Sequence, residues 1–529
     1  MIVLQNISYT HPSGDVLFDD INLVVNKYDK IALIGNNGSG KSTLLQLVAG
    51  RIKPSFGSVT THQDLYYMPQ IFGQYNQSTI AQVLLIDAKL SALQEIIDGH
   101  VSQENMDSLG DDWTIEERCR AAFAHWALGD LSLDQKLETL SGGQKAKVFL
   151  AGIHIHRPKV VLLDEPSNHL DSLSREMLYN YIMSTNDTLM VVSHDRFLLN
   201  LLDQVAELGK RGITLYGRNY NFYQQQKNLE DEALSQTLQS KEKALRKARE
   251  KERETAERQQ KLDARGKRKQ VKSGVPTIFL NTLRNNAEKS TSKMKDVHAE
   301  KVGSMAKELT SLRMELSATA QMRIGFDHSG LHTGKILISA KNINFAYGEK
   351  LLWQTGLSFQ ISSGDRVAIK GPNGSGKTSL IKMMLSELEP QSGAFERSDF
   401  KAIYIDQDYS LIDDKLSVYE QAQQFNSGTM QEHEIKIRLN RFLFDKTYWD
   451  IPCRVLSGGE KMRLMLCSLT IRNQAPDMII LDEPTNNLDI QNIEILTSAV
   501  NEYPGTLIVV SHDSWFLDRL DINNNLDTG

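Results

Sequence analysis

The sequence predicts an α/β fold made of two tandem copies of one domain, each with a helical subdomain, joined by a long α-helical hairpin. Three observations lead there. Short apolar runs end in glycine-rich turns or acidic pairs, the punctuation of strands that feed helices. Every such landmark occurs twice, in the same order. Between the two copies lies a stretch of different composition, rich in charge and carrying helical periodicity.

The chain has 529 residues, enough for two or three domains. Its hydrophobic fraction of 40% and charged fraction of 24% are those of a globular protein. No run of about 18 apolar residues is present, so no membrane span is expected. The start "MIVLQNISYT" lacks the basic and apolar regions of a signal peptide. Cys119, Cys453 and Cys467 lack metal-site spacing and are expected as small buried hydrophobes in a cytoplasmic protein.

The repeat is explicit. "GNNGSGKST" begins at Gly35 and "GPNGSGKTS" at Gly371; "LSGGQ" begins at Leu140 and "LSGGE" at Leu456. "VVLLDEPSNHLD" ends at Asp171 and "MIILDEPTNNLD" at Asp489, and "VVSHD" ends at Asp195 and Asp513. The period is far too long for a solenoid, so this is a duplicated domain. Gln70 and Gln407 are 337 positions apart, Ser141 and Ser457 only 316, so the first copy holds 21 more residues between these landmarks. The extra length predicts a helical arm around 85–125. The expected domains are 1–222, a linker at 223–334, and 335–529.

From Lys227 to Arg323 there are 23 Lys or Arg and 14 Asp or Glu, a net +9, whereas the whole chain carries −6. Leu234, Leu238, Leu245, Ala248 and Leu262, then Val302, Met305, Leu309, Leu312 and Leu316, form sparse helical stripes. They predict two helices packed as an antiparallel coiled coil. Gly266, Gly274 and Pro276 are expected to break the helix near its tip, where "LDARGKRKQVKSGVP" concentrates charge. Lys267, Arg268, Lys269 and Lys272 form the basic cluster of that stretch. The apolar stretch "PTIFLNTL" follows, which is oddly apolar for an exposed tip.

The glycine-rich turns carry phosphate chemistry. Gly35, Gly40, Lys41 and Ser42 follow "KIALIG", and Gly371, Gly376, Lys377 and Thr378 follow "RVAIKG". A strand, a glycine-rich turn and a helix start let backbone N–H groups wrap phosphates. The candidate loop residues are Asn36, Gly38, Ser39 and Thr43 in the first copy, and Asn373, Gly374, Ser375 and Ser379 in the second. Lys41 and Lys377 neutralise β- and γ-phosphates, and Ser42 and Thr378 offer hydroxyls to Mg²⁺. Asp164 and Asp482 end apolar strands and are placed to hold Mg²⁺ directly or through water. Glu165 and Glu483, next in line, are candidate general bases. His194 and His512 are candidate γ-phosphate contacts, and Gln70 and Gln407 candidate sensors of metal and water.

Together with "LSGGQ" and "LSGGE", these residues resemble the ATP-binding cassette family, which implies two ABC-type P-loop ATPase domains hydrolysing ATP with Mg²⁺. In that family the cassettes pair head to tail. Ser141, Gly142 and Gly143 would then complete the site at Lys377, and Ser457, Gly458 and Gly459 the site at Lys41, within a monomer. The family stacks an aromatic on adenine; Tyr347 matches, while the first copy offers His11. Glu460 in "LSGGE" departs mildly from Gln. Two cassettes, no span, a basic helical linker, an arm and "SNHLD" resemble the ABC-F subfamily, although the second copy has Asn487 where that motif has His. That likeness implies binding to the ribosome, its RNA and tRNA, with the linker tip approaching peptidyl-tRNA and the peptidyl-transferase centre. Lys267, Arg268, Lys269 and Lys272 would then be the candidate contacts to RNA phosphates, and "PTIFLNTL" would pack locally or touch RNA and nascent chain. The role would be rescue of stalled ribosomes or antibiotic protection. The alternatives are the motor subunit of a transporter with a separate membrane chain, which the basic linker argues against, and a DNA-repair ATPase, which would carry zinc ligands or longer coiled coils.

Overall fold

The computed structural model describes residues 1–61, 64–129, 131–209, 212–270, 300, 302–309, 332, 334–348, 350–428, 430–472, 474–486 and 488–529. The chain divides into two compact units: Met1–Tyr223 with Met322–Gly529, and Gln224–Gln321. Both copies of the repeat therefore belong to one unit.

In the first copy the strands Leu65–Met68, Val160–Asp164, Thr188–Val192, Lys30–Ile34, Gln204–Gly209 and Gly212–Tyr216 form one sheet in that order. All its pairings are parallel except the last. A parallel sheet is covered on both faces, so its strands read as continuous apolar runs. The alternation of side chains sorts each run between two cores. Val161, Leu163, Leu189 and Val191 join the core shared with the helical subdomain, while Val160, Leu162, Met190 and Val192 join the core under a second sheet. That second sheet is antiparallel, in the order Val16–Val25, Ile2–Thr10, Phe56–Thr61.

The second copy repeats the plan. Its parallel sheet runs Ala402–Ile405, Met478–Asp482, Thr506–Val510, Arg366–Lys370, Asn524–Asp527, and its antiparallel sheet Leu357–Ser362, Ile336–Asn344, Ser392–Arg397. In both, the strand before the glycine-rich loop sits inside the parallel sheet, where ligands gather at the carboxyl ends of strands.

Within 85–125 lie three helices: Asp87–Ile97, Gln103–Leu109 and Ile115–His125. Ile115–His125 packs on the helix Gly142–His156, as Glu432–Arg441 packs on Gly458–Ile471 in the second copy. The added length thus resides in the first two helices, which pack on each other. Asp112 anchors them. It accepts from Lys89 at 2.9 Å and from Arg118 at 2.6 and 2.8 Å, and the Arg118 hydrogen bonds lead in holding its carboxyl down at about 2. The three cysteines are free and buried.

The second unit holds most of the 51-residue helix Tyr220–Gln270. This helix runs through Gly266 rather than breaking there; one interior glycine costs only about 1 kcal/mol, which a long helix absorbs. Residues 302–309 are also helical. Leu238 and Leu309 are buried, and Lys241 pairs with Glu308 between the two segments. The side chains of Leu262, Lys267, Arg268 and Lys269 lie outside the described residues, as do Lys272, Gly274, "PTIFLNTL", Leu312 and Leu316 entirely.

Candidate nucleotide sites

Each glycine-rich loop leaves its strand and closes onto a helix, Lys41–Val48 or Lys377–Met384. Gly40 and Gly376 precede those helices in the left-handed region, φ 96° and 90°. That turn aims backbone N–H groups into the cleft, and only glycine adopts it freely. Lys41 Nζ donates to the carbonyls of Gly35 at 2.7 Å and Asn36 at 3.3 Å; Lys377 Nζ donates to Gly371 at 2.8 Å and Pro372 at 3.0 Å. The lysines are thus folded back onto their own loops, each held by two carbonyls. Burial lowers both lysine pKa values, opposed by the neighbouring carboxylates.

Opposite each loop stands the acidic strand end. Glu165 and Glu483 both have positive φ, 53° and 49°, an unusual conformation repeated in both copies. Their backbone N–H groups donate to Val192 and Val510, each at 2.8 Å, which ties them to the neighbouring strand. Burial raises the Glu165 carboxyl well above the usual range and pushes Glu483 up to about 7. Asp164 is pushed up to about 6, again chiefly by burial. A carboxyl near neutrality is suited to accept a proton from water. His194 Nε2 lies 3.2 Å from Glu165 Oε1, and His512 Nε2 3.5 Å from Glu483 Oε1. Burial pulls the two rings down to about 3 and about 4, so both are neutral and the contacts are not ion pairs. Instead the His194 backbone N–H donates to Glu165 Oε2 at 3.2 Å.

A cleft of about 350 Å³ at Lys41 is lined by Gly38, Gly40, Ser42, Thr43, Gln70, Asp164, Glu165 and His194 from the first copy, with His11 at its rim. From the second copy Ser457 reaches it. Gly458 and Gly459, expected beside Ser457, do not line it. Gly459 is enclosed by its own domain, where an added Cβ would stand 2.2 Å from Asn492 Nδ2.

The cleft at Lys377, about 530 Å³, takes Asn373, Gly374, Gly376, Thr378, Ser379, Gln407, Asp482, Glu483 and His512 from the second copy, with Tyr347 at its edge. Ser141, Gly142 and Gly143 of the first copy complete it. Both clefts have the size of small-ligand pockets, roughly 300–1,000 Å³. Gly35, Asn36, Ser39, Gly371 and Ser375 support the loops instead of lining the clefts. Ser375 Oγ, for example, shares a 2.6 Å hydrogen bond with Thr528 Oγ1.

The signature serines cap helices. Ser141 forms a capping box with Gln144, and Ser457 with Glu460. Glu460 is more than a mild replacement, because its carboxylate also accepts from the Ser457 hydroxyl at 2.7 Å. Sequence reasoning missed Tyr67 and Tyr404, whose hydroxyls donate to Asp164 at 3.5 Å and Asp482 at 2.8 Å. They share the 337-residue offset of Gln70 and Gln407, so the signal was present. It also missed Asp489, whose carboxylate reaches the backbone N–H of Asn37 across the interface at 3.4 Å.

The donor set fits a nucleotide with Mg²⁺. Asp164 Oδ1, Glu165 Oε1 and Glu483 Oε1 are buried without hydrogen-bond partners, which is costly unless a ligand, metal or water meets them. Among the described residues no group of three or more His, Cys, Asp or Glu could hold a metal by itself. Mg²⁺ binds through one or two protein oxygens plus substrate phosphates, so Ser42 with Asp164, and Thr378 with Asp482, would suffice to hold it.

Two phosphate loops facing acidic strand ends, with the signature turn of one copy delivered to the loop of the other, define a tandem nucleotide-hydrolysing protein. The ABC transporter family model matches residues 18–168 and 354–486. The energy-dependent translational throttle protein EttA of Escherichia coli O6:H1 is 30% identical, over 93% of this chain and 85% of its own. ABC transporter F family member 2 of Arabidopsis thaliana is 28% identical, over 98% and 75%. The chain belongs to the ATP-binding cassette family, in its F group, and is an ATPase. The crystal structure of archaeal ribosome recycling factor aABCE1 with stalk protein aP1 shares the fold, at TM-score 0.59 and 19% identity, covering 97% of this chain and 86% of that one. No helix among the described residues is long and apolar enough to cross a membrane.

Proposed function

We propose that the protein is a cytoplasmic, monomeric ATPase that binds the ribosome and modulates translation, by rescue of stalled ribosomes or by protection from antibiotics. The carrying observation is the 30% identity to a protein named for throttling translation, over an alignment that spans both cassettes. The net +9 between Lys227 and Arg323, in a chain of net −6, supports an RNA partner for that segment. In this reading the segment reaches toward peptidyl-tRNA and the peptidyl-transferase centre.

At each site ATP is the substrate. The loop N–H groups and Lys41 or Lys377 bind its phosphates, and His11 or Tyr347 faces the base. Ser42, Gln70 and Asp164 would hold Mg²⁺ at one site, and Thr378, Gln407 and Asp482 at the other. The metal supplies charge neutralisation across the β- and γ-phosphates. Glu165 and Glu483 take the proton of the attacking water, while His194 and His512 face the γ-phosphate. Ser141, Gly142 and Gly143, and Ser457 across the other cleft, close over the substrate from the opposite cassette.

Ribosome co-sedimentation across a salt series, in a Glu165→Gln, Glu483→Gln background with ATP, tests the RNA contact. Changing Lys267, Arg268, Lys269 and Lys272 to Gln removes up to four phosphate contacts, each contributing a slope of roughly 0.7–0.9 in log units. Weaker binding with a shallower salt dependence is expected, with basal hydrolysis intact. An unchanged affinity and slope would reduce the segment to a spacer; a loss of basal hydrolysis would point to folding instead.

A further inference from the structure

The two clefts share one plan but receive different groups from the opposite cassette. At the Lys377 cleft the helix Ser172–Ser184 of the first cassette brings two polar side chains to His512. Ser172 Oγ lies 3.2 Å from His512 Nδ1, and Arg175 Nη1 donates to the His512 carbonyl at 3.2 Å. Arg175 is itself braced, its Nε donating to the Leu170 carbonyl at 3.2 Å, and it lines the cleft alongside Glu483.

Glu165 and Glu483 are 318 positions apart, as are His194 and His512. The same offset places Ile490 and Ile493 at the mirror positions of Ser172 and Arg175. Ile493 is 3% exposed within the core of its own cassette, and Ile490 packs on the core of the first. Neither side chain can donate a hydrogen bond or carry charge. His194 Nδ1 is buried without a hydrogen-bond partner, whereas His512 Nδ1 faces a hydroxyl.

A hydroxyl at Nδ1 fixes the plane of an imidazole whichever group donates, and leaves Nε2 for the reacting side. Here His512 Nε2 stands 3.5 Å from Lys377 Nζ, beside the phosphate loop. A guanidinium delivered from the opposite domain adds positive charge where phosphoryl transfer builds negative charge, and it arrives only when the domains face each other.

We propose that Ser172 and Arg175 act in trans as positioning residues for the Lys377 site alone, so that the two ATP sites turn over unequally and the Lys377 site is the one coupled to cassette pairing. Its mirror site, where Ile490 and Ile493 turn into apolar cores and the Ser457 hydroxyl is already given to Glu460, lacks this coupling.

The inference rests on Glu165 and Glu483 as the bases, which single Gln variants test first: if neither slows hydrolysis, that assignment fails before Arg175 is examined. Basal ATPase is then measured in two backgrounds, without ribosomes. In Glu165→Gln, where turnover reports the Lys377 site, Arg175→Gln is expected to lower kcat about 10- to 100-fold while KM moves less. Arg175→Lys, which keeps the charge, should restore part of that loss, and Ser172→Ala should lower kcat in the same background. In Glu483→Gln, where residual turnover reports the Lys41 site, Arg175→Gln should change kcat by less than about twofold. Equal losses in both backgrounds, as a general packing or folding defect would give, overturn the proposal. So does an effect confined to KM, or a Lys variant no better than Gln.

Discussion

Replacing Glu165 and Glu483 together by Gln is expected to slow ATP turnover by about 10²–10⁴-fold, the usual contribution of a general base. Binding should survive, because the groups that would hold the phosphates are elsewhere: the loop N–H groups, Lys41 and Lys377. The substitution is nearly isosteric, and a Gln carbonyl can still accept from the His194 backbone N–H that now meets Glu165 Oε2 at 3.2 Å. What it removes is the proton acceptor. Steady-state phosphate release, with nucleotide retained after gel filtration as the second readout, measures both halves. Wild-type turnover in the double variant would refute the assignment, and loss of retained nucleotide would mean that the carboxylates hold the substrate rather than activate water.

The second large effect crosses the chain. Ser141→Arg should cripple nucleotide capture at Lys377, more than 200 residues away, while sparing Lys41. Ser141, Gly142 and Gly143 line the Lys377 cleft, and the approach is close. A Cβ on Gly143 would stand 2.8 Å from the His169 carbonyl oxygen and 3.2 Å from Asn373 Nδ2, which already bond to each other at 3.1 Å. An arginine side chain in this seam fills space meant for phosphate and breaks the cap on the helix Gly142–His156. Lost hydrogen bonds to charged groups cost about 1.5–3 kcal/mol each, roughly 10- to 100-fold in affinity. Ser457→Arg should act in mirror image on the Lys41 site. Photolabelling by an ATP analogue, followed by peptide mapping, separates the two sites. Loss confined to the loop of the mutated cassette would contradict head-to-tail pairing.

The sequence by itself determined the duplication, the α/β class and most of the residues that line the two clefts. These features are local. A glycine-rich turn, an apolar strand ending in Asp-Glu and a serine-capped helix each obtain their geometry from neighbours a few positions away, so spacing reports them. Repetition even marked Tyr67 and Tyr404, had the 337-residue offset been followed three residues back from Gln70 and Gln407. Tertiary structure decided what has no local signature. It put all three signature residues of the first cassette into the Lys377 cleft but only Ser457 into the other. It carried Gly266 through a continuous helix, because the loss from one glycine is small beside the hydrogen bonds of 51 residues. It also brought Ser172 and Arg175 to His512, while Ile490 and Ile493 turned to apolar cores. For the two clefts the reason is shared: contacts across the interface depend on how two folded faces meet, and faces are assembled from residues hundreds of positions apart that no motif ties together.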